Sequence, residues 1–218
     1  MHTEIIPSLL VDGKEAFERR LRLVENHVKT VAVDILDGST YQVTNWFNAE
    51  AISAMHTPVQ FILHLMVENP LPIIEKWMRL VPNTVRAIIH AESDRPLGAI
   101  IQQIQQTYKM EAGLALNPET PLNEIHPVLH EVDEVLLMGV RPGHSGQPFG
   151  GEVILEKTRQ LRGHIPELPL AVDGGVQKEN ILDLLSAGIT RFHVTSAIFD
   201  AEDPLHALKE LQTMVGMV

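Results

Sequence analysis

The sequence predicts an α/β protein built as one (β/α)8 barrel, a TIM barrel over residues 1–218, and three observations carry that reading. Apolar runs of strand length recur eight times, segments with helical periodicity lie between them, and polar residues gather where the runs end. Strands buried on both faces read as near-continuous apolar runs, and alternation of strand with helix implies a parallel sheet. Eight such units fit a barrel, whose usual length is ~250 residues. An open doubly wound sheet is the alternative. Its first turn normally carries a Gly-rich fingerprint, and here that turn reads Pro7-Ser8-Leu9-Leu10-Val11-Asp12-Gly13, so the barrel is favoured.

Taken in order, the strand-like runs are 5–10, 31–35, 59–65, 85–91, 111–116, 134–140, 168–172 and 191–194. Helical periodicity fills 16–24, 73–80, 97–108, 122–129, 153–161, 181–185 and 205–214, and the second crossover, 47–55, is the weakest helix. At 218 residues and 44% hydrophobic content, with no composition break or long Gly/Ser/Pro linker, the chain reads as a single domain with a substantial core.

Composition excludes several classes. A formal charge of −11 without a basic cluster argues against a nucleic-acid or membrane-surface partner, since phosphate backbones and anionic lipids need clustered Lys and Arg. The absence of cysteine removes disulfides and thiolate metal sites. The first ten residues lack the basic start and long apolar stretch of a signal peptide, and no run approaches the ~20 residues of a membrane span. A cytoplasmic protein is the expectation.

In such barrels chemistry sits at the carboxyl ends of strands. The polar residues there are Ser8, Asp34, Asp37, His64, His90, Glu92, Asn117, Arg141, Asp173 and Ser196. Two tracts, Val33-Asp34-Ile35-Leu36-Asp37-Gly38 and Ala171-Val172-Asp173-Gly174-Gly175, each follow an apolar run and put an aspartate at or near a strand end. Asp34 and Asp173 can then face each other across the mouth. That suits removal of a proton from one face of a carbon and return of one on the other; the plainer reading is that both are turn or cap residues. Alternation puts Ala32 on the same face as Asp34. His64 stands out among 11 histidines because it ends an apolar strand. His90 and Glu92, two residues apart, share a face and read as a supporting polar pair. Backbone N–H groups of Ser145-Gly146-Gln147, Gly174-Gly175 and Thr195-Ser196 can bind phosphate, or their glycines serve only as strand-to-helix turns.

An ordered set of stretches carries a resemblance. They are Pro7-Ser8-Leu9-Leu10, the Val33 to Gly38 tract, His64-Leu65-Met66-Val67-Glu68-Asn69-Pro70, Leu116-Asn117-Pro118-Glu119-Thr120-Pro121-Leu122, Leu136-Leu137-Met138-Gly139-Val140-Arg141-Pro142-Gly143-His144-Ser145-Gly146-Gln147, Val172-Asp173-Gly174-Gly175 and Ser196-Ala197-Ile198-Phe199. In that order the chain resembles the ribulose-phosphate 3-epimerases, of the ribulose-phosphate-binding barrel group. The resemblance implies inversion of the third carbon of a ketopentose phosphate, D-ribulose 5-phosphate to D-xylulose 5-phosphate, a step of the pentose phosphate pathway. It implies Asp34 and Asp173 as the catalytic acid and base, acting through an enediolate. Substrate contacts fall on Ser8, His64, Met66, Met138, Ser145, Gly146, Gln147, Gly174, Gly175, Thr195 and Ser196, with Met66, Met138 and Leu36 matching a methionine-rich floor and His144 lying in the family's mobile sixth loop, as a lid residue or simply solvated. The implied partner is a small sugar phosphate. A homo-oligomer stays open.

The family also implies a divalent metal ion, zinc, iron, manganese or cobalt, held by two histidines and the same two aspartates. Asp34, His64 and Asp173 occupy three positions, and Ala32 stands at the fourth. An alanine methyl coordinates nothing. Three ligands remain an ordinary catalytic count; the alternative is a metal-free site with the oxyanion left to donors such as Ser8. Two further departures are Ser39-Thr40-Tyr41-Gln42-Val43-Thr44 after Gly38, which bears on substrate identity, and Thr195 where the family commonly has glycine. Aldol-type synthases and decarboxylases of the same barrel group would show Asp-x-Lys-x-x-Asp on the second strand; Ala32 to Asp37 lacks the lysine. A sugar-phosphate-binding barrel without rapid turnover, or an epimerase for a different ketose phosphate, are the competing readings.

Overall fold

Eight parallel strands close on themselves in chain order, with β8 pairing back onto β1, in a computed structural model that describes residues 2–143 and 146–216. The strands are β1 Glu4–Leu9, β2 Thr30–Ile35, β3 Gln60–Leu65, β4 Thr84–His90, β5 Glu111–Leu116, β6 Glu134–Met138, β7 Leu170–Asp173 and β8 Arg191–Val194. The helices are α1 Lys14–Val24, α2 Ala49–Ser53, α3 Leu71–Leu80, α4 Leu97–Gln106, α5 Glu152–His164, α6 Ile181–Ala187, α7 Ser196–Phe199 and α8 Pro204–Met214. Helix α1 shows why the ring of helices holds: Phe17, Leu21 and Val24 fall on one stripe and are buried against the sheet. Helix α2 is only five residues long and is started by Asn48, whose side chain accepts from the Ala51 backbone N–H.

The helix expected over 122–129 does not form. Two 3-10 turns, Leu122–Glu124 and His126–Val128, replace it. Pro127 has no N–H to give and its ring obstructs the carbonyl four residues back, so an α-helix cannot run through this segment. Its apolar spacing still serves, because Ile125 and Leu129 are buried. From α5, Lys157 Nζ donates to the carbonyls of Asn117, Pro118 and Thr120 at 3.1, 2.7 and 2.6 Å, which fixes the start of the segment. The short α7 starts directly after β8, with Thr195 as its N-cap.

Shear in a closed barrel brings side chains from alternate strands to one height. Stepping one residue per strand along the observed registers puts Ala32, Ile88, Leu136 and His193 in one inner layer. Ser8, His64, Ala115 and Asp173 lie above it, and Asp34, His90, Met138 and Thr195 form the mouth. Ile6, Ile62, Gly113 and Ala171 lie below. There is no room for more at Gly113, where a Cβ would stand 2.8 Å from Ile88 Cγ1. The amino-terminal end is closed by charge: Glu134 is fully buried, with Arg86 Nη1 3.3 Å away and Arg191 bonded to the same carboxylate.

Burial pushes the Glu134 carboxyl up, but Arg86 and Arg191 outweigh it and hold the group below its ordinary value. Removing one member of such a cluster strands buried charge. Glu134→Gln should therefore cost about 3–5 kcal/mol, measured as a lowered denaturant midpoint at neutral pH; an unchanged midpoint would show that the basal ions do not support the fold.

Candidate active site

The two aspartates arrive from strands three steps apart around the ring. Asp34 is the penultimate residue of β2, and its strand end is pinned by Asn45, whose Nδ2 donates to the Asp34 carbonyl at 2.7 Å while its Oδ1 accepts from Leu36 N–H at 2.8 Å. Asp173 ends β7 and is followed by Gly174 at φ +94, where a Cβ would stand 2.4 Å from Val140 Cγ2. The turn that releases Asp173 into the mouth therefore needs glycine for packing and for backbone shape. Both carboxylates converge on one atom: His64 Nδ1 lies 3.0 Å from Asp34 Oδ1 and 3.0 Å from Asp173 Oδ2. His64 is fully buried, and Asp34 and Asp173 are buried as well.

Beside this contact runs a chain that fixes tautomers. His64 Nε2 is 3.0 Å from His90 Nε2, and His90 Nδ1 is 3.2 Å from Glu92 Oε2. Burial pushes the Glu92 carboxyl up, but hydrogen bonds from His90, the Asn117 backbone and Thr120 bring it down to about 2, so at neutral pH it only accepts. His90 must then carry its proton on Nδ1. Burial, with the positive His64 nearby, holds His90 below its ordinary value and neutral, so its Nε2 is a lone pair. His64 Nε2 must donate to it. The atom that His64 offers the site is thus Nδ1, as a proton donor to the two carboxylates or, deprotonated, as a ligand.

The charges respond to this crowding. Burial opposes a charged His64, but Asp173 and Asp34 push it up to about 10. Asp34 is raised by burial and then by the charge of Asp173, against the His64 hydrogen bond.

Above the cluster opens a cleft. Asp34, Met66, Met138, Asp173, Gly146, Gly174, Gly175, Thr195 and Ser196 all line it, which brings together most of the residues expected from sequence. Ser8 and His64 lie deeper and do not line it. The Ser8 hydroxyl is buried and has no hydrogen-bond partner among the described residues. Gln147 also stands outside the lining, its side chain donating to the Arg141 carbonyl at 2.8 Å. His144 and Ser145 lie outside the described residues. The loop after Gly38 does reach the site: Tyr41 hydroxyl accepts from Asn117 Nδ2 at 3.0 Å and stands edge-on to His90, with ring centroids 6.0 Å apart.

Asp34, His64 and Asp173 offer one donor atom each, all within 4.8 Å of one another, so the trio fits a divalent ion in spacing and in chemistry. Ala32 is confirmed as a buried member of the interior. One residue was missed by sequence reasoning. His193 is buried, lines the same cleft as the two aspartates, and stands edge-on to His64 at 6.3 Å between ring centroids. Burial, with His64 and Arg86 adding to it, brings its ring down to about 3 despite Glu134, so it is neutral. The available signal was the period-two alternation of β8, which puts 193 on the face of Thr195, already a site candidate.

A closed parallel barrel whose acid–histidine–acid cluster opens at the strands' carboxyl ends defines a TIM-barrel enzyme. The pattern described as the Ribulose-phosphate 3 epimerase family matches residues 4–199, and the chain belongs to that family of isomerase-class epimerases. Among similar proteins, the ribulose-phosphate 3-epimerase of Helicobacter pylori is 32% identical over 218 residues, covering 97% of each chain. The one from Escherichia coli is 34% identical over 165 residues, covering 72% of this chain and 69% of its own. Solved structures of lower identity share the fold. A mutant tryptophan synthase alpha-subunit from Pyrococcus furiosus superposes with a TM-score of 0.71 at 14% identity, covering 99% of this chain and all of its own. Orotidine 5'-phosphate decarboxylase from Pyrococcus horikoshii gives 0.69 at 17%, covering 97% and 99%.

Because the Glu92 carboxyl sits at about 2 in the fold against an ordinary 4.5, the stability it contributes is complete above pH 4.5 and lost as pH falls toward 2. Thermal midpoints recorded across that window should fall more steeply for the wild type than for Glu92→Gln; parallel curves would remove the ionised Glu92 from the network.

Proposed function

We propose that the chain interconverts D-ribulose 5-phosphate and D-xylulose 5-phosphate by inverting the third carbon, with Asp34 and Asp173 as the two proton-transfer groups. The observation that carries this reading is the convergence of both carboxylates on His64 Nδ1 at 3.0 Å each, from strands on different sides of one cleft.

The proton to be removed is acidic because the neighbouring carbonyl accepts the electron pair, giving an enediolate. An acceptor on one face and a donor on the other are then sufficient for inversion. Asp34 is fitted to hold a proton, because burial and the charge of Asp173 both raise its affinity. Asp173, from the opposite wall, serves the other face, and the roles exchange when the reaction runs backward. Met66 and Met138, both buried, keep the floor beneath the reacting carbon dry. When bound by Asp34, His64 and Asp173, a divalent ion supplies Lewis-acid polarisation of the carbonyl and offsets charge on the developing oxyanion. The Glu92–His90–His64 chain keeps the His64 ring oriented toward that site.

The phosphate is assigned to the rim formed by Gly146, Gly174, Gly175, Thr195 and Ser196, which walls the same cleft as the aspartates. Gly174 and Gly175, at φ +94 and +69, present backbone to that rim in a conformation that side chains rarely adopt. The sugar's distal end then faces Arg141 and Pro142, shared with a neighbouring cleft lined by Thr40, Tyr41, Gln42 and Val43. No helix among the described residues is long and apolar enough to cross a membrane, and a water-soluble sugar phosphate suits the cytoplasm as the compartment.

Purified protein should convert D-ribulose 5-phosphate to D-xylulose 5-phosphate in a coupled assay. Asp34→Asn and Asp173→Asn should each lower turnover by roughly 10²–10⁴; turnover that survives both replacements would sink the two-carboxylate scheme. Chelation followed by elemental analysis should remove a stoichiometric ion together with activity, and full activity in protein free of metal would remove the ion from the reaction.

A further inference from the structure

We propose that His193 is the fourth ligand of the divalent-ion site, supplied from β8 in place of the side chain that Ala32 cannot provide from β2. This rests on the metal-assisted reading of the site above, and extends it to a residue that the family likeness does not single out.

Three observations support it. The first is an unmet need. Both ring nitrogens of His193 are buried, and neither has a hydrogen-bond partner among the described residues. A neutral imidazole always presents one N–H and one lone pair, and leaving both unpaired in a buried position is costly unless something occupies the space beside them. The second is place. His193 and Ala32 share one layer of the barrel interior, immediately beneath the layer of His64 and Asp173. A side chain rising from that layer approaches the cluster from below, whether it starts on β2 or on β8. The third is access. His193 lines the cleft with Asp34 and Asp173, and its ring stands edge-on to His64, at 6.3 Å between centroids.

The trio's donor atoms already lie within 4.8 Å of one another. The His193 nitrogens stand outside that spacing, so ligation requires its ring to move toward the ion, and it has no hydrogen bond among the described residues to give up. Ala32 contributes only a methyl to the layer that it shares with His193.

The test is metal affinity and ligand-field spectra, not turnover. Full-length protein stripped with chelator is titrated with cobalt(II), reading the visible spectrum and competition with a chromophoric chelator. This is done for wild type, His193→Val, His193→Gln and the double variant His193→Val with Ala32→His, each checked for an unchanged thermal midpoint without metal. Wild type should bind one equivalent. His193→Val and His193→Gln should each weaken binding at least tenfold and shift the cobalt bands, and Ala32→His should recover affinity in the His193→Val background. Any smaller loss in every variant that folds, an unchanged spectrum, or a wild type that binds no ion overturns the assignment. A protein that binds cobalt through His193 yet leaves D-ribulose 5-phosphate untouched would instead refute the proposed reaction and keep the ligand.

Discussion

Two carboxylates meeting one imidazole nitrogen, at 3.0 Å each and away from solvent, is the arrangement that the rest of this barrel has to accommodate. Two bare charges at about 4–5 Å in an effective dielectric of ~20 repel by on the order of 3 kcal/mol, before the cost of taking them out of water. The fold answers with a proton or a cation between them. The His64–His90–Glu92 chain decides which nitrogen is presented, and Asn45 and Gly174 decide where each carboxylate stands. Burial and the charge of Asp173 raise the proton affinity of Asp34, which is the property the proposed reaction draws on.

The barrel was legible because its cause is repetitive. Eight buried strands each need an apolar run, and each crossover needs a helical stripe, so chain-wide periodicity carries the architecture. Where the local rule and the periodic one conflicted, the local rule won. The spacing of Leu122, Ile125 and Leu129 is helical and the last two are buried, yet Pro127 forbids the α-helical hydrogen bond, leaving two 3-10 turns. The aspartates and His64 could be read because they end apolar runs.

Other parts depend on relations across strands that no single run displays. The link from His64 through His90 to Glu92 joins β3 to the end of β4, and Tyr41 reaches Asn117 from a loop 76 residues away in the chain. His193 shows the limit most clearly. In sequence it is one histidine of 11 in an ordinary apolar strand, and its significance appears only when shear places it level with Ala32. Ser8 is the reverse case, expected as a donor to the reacting oxygen but found beneath the cleft with its hydroxyl unpaired among the described residues.

The ionic base of Arg86, Glu134 and Arg191 has a consequence for traffic. With isoleucines stacked above a locked set of charges, the barrel is stoppered at its amino-terminal end, and among the described residues the site opens toward the doorway at the strands' carboxyl ends. In the proposed reaction a sugar phosphate filling that doorway traps the departed proton with it, and isotopic exchange with bulk solvent waits for departure of the ligand through the same opening.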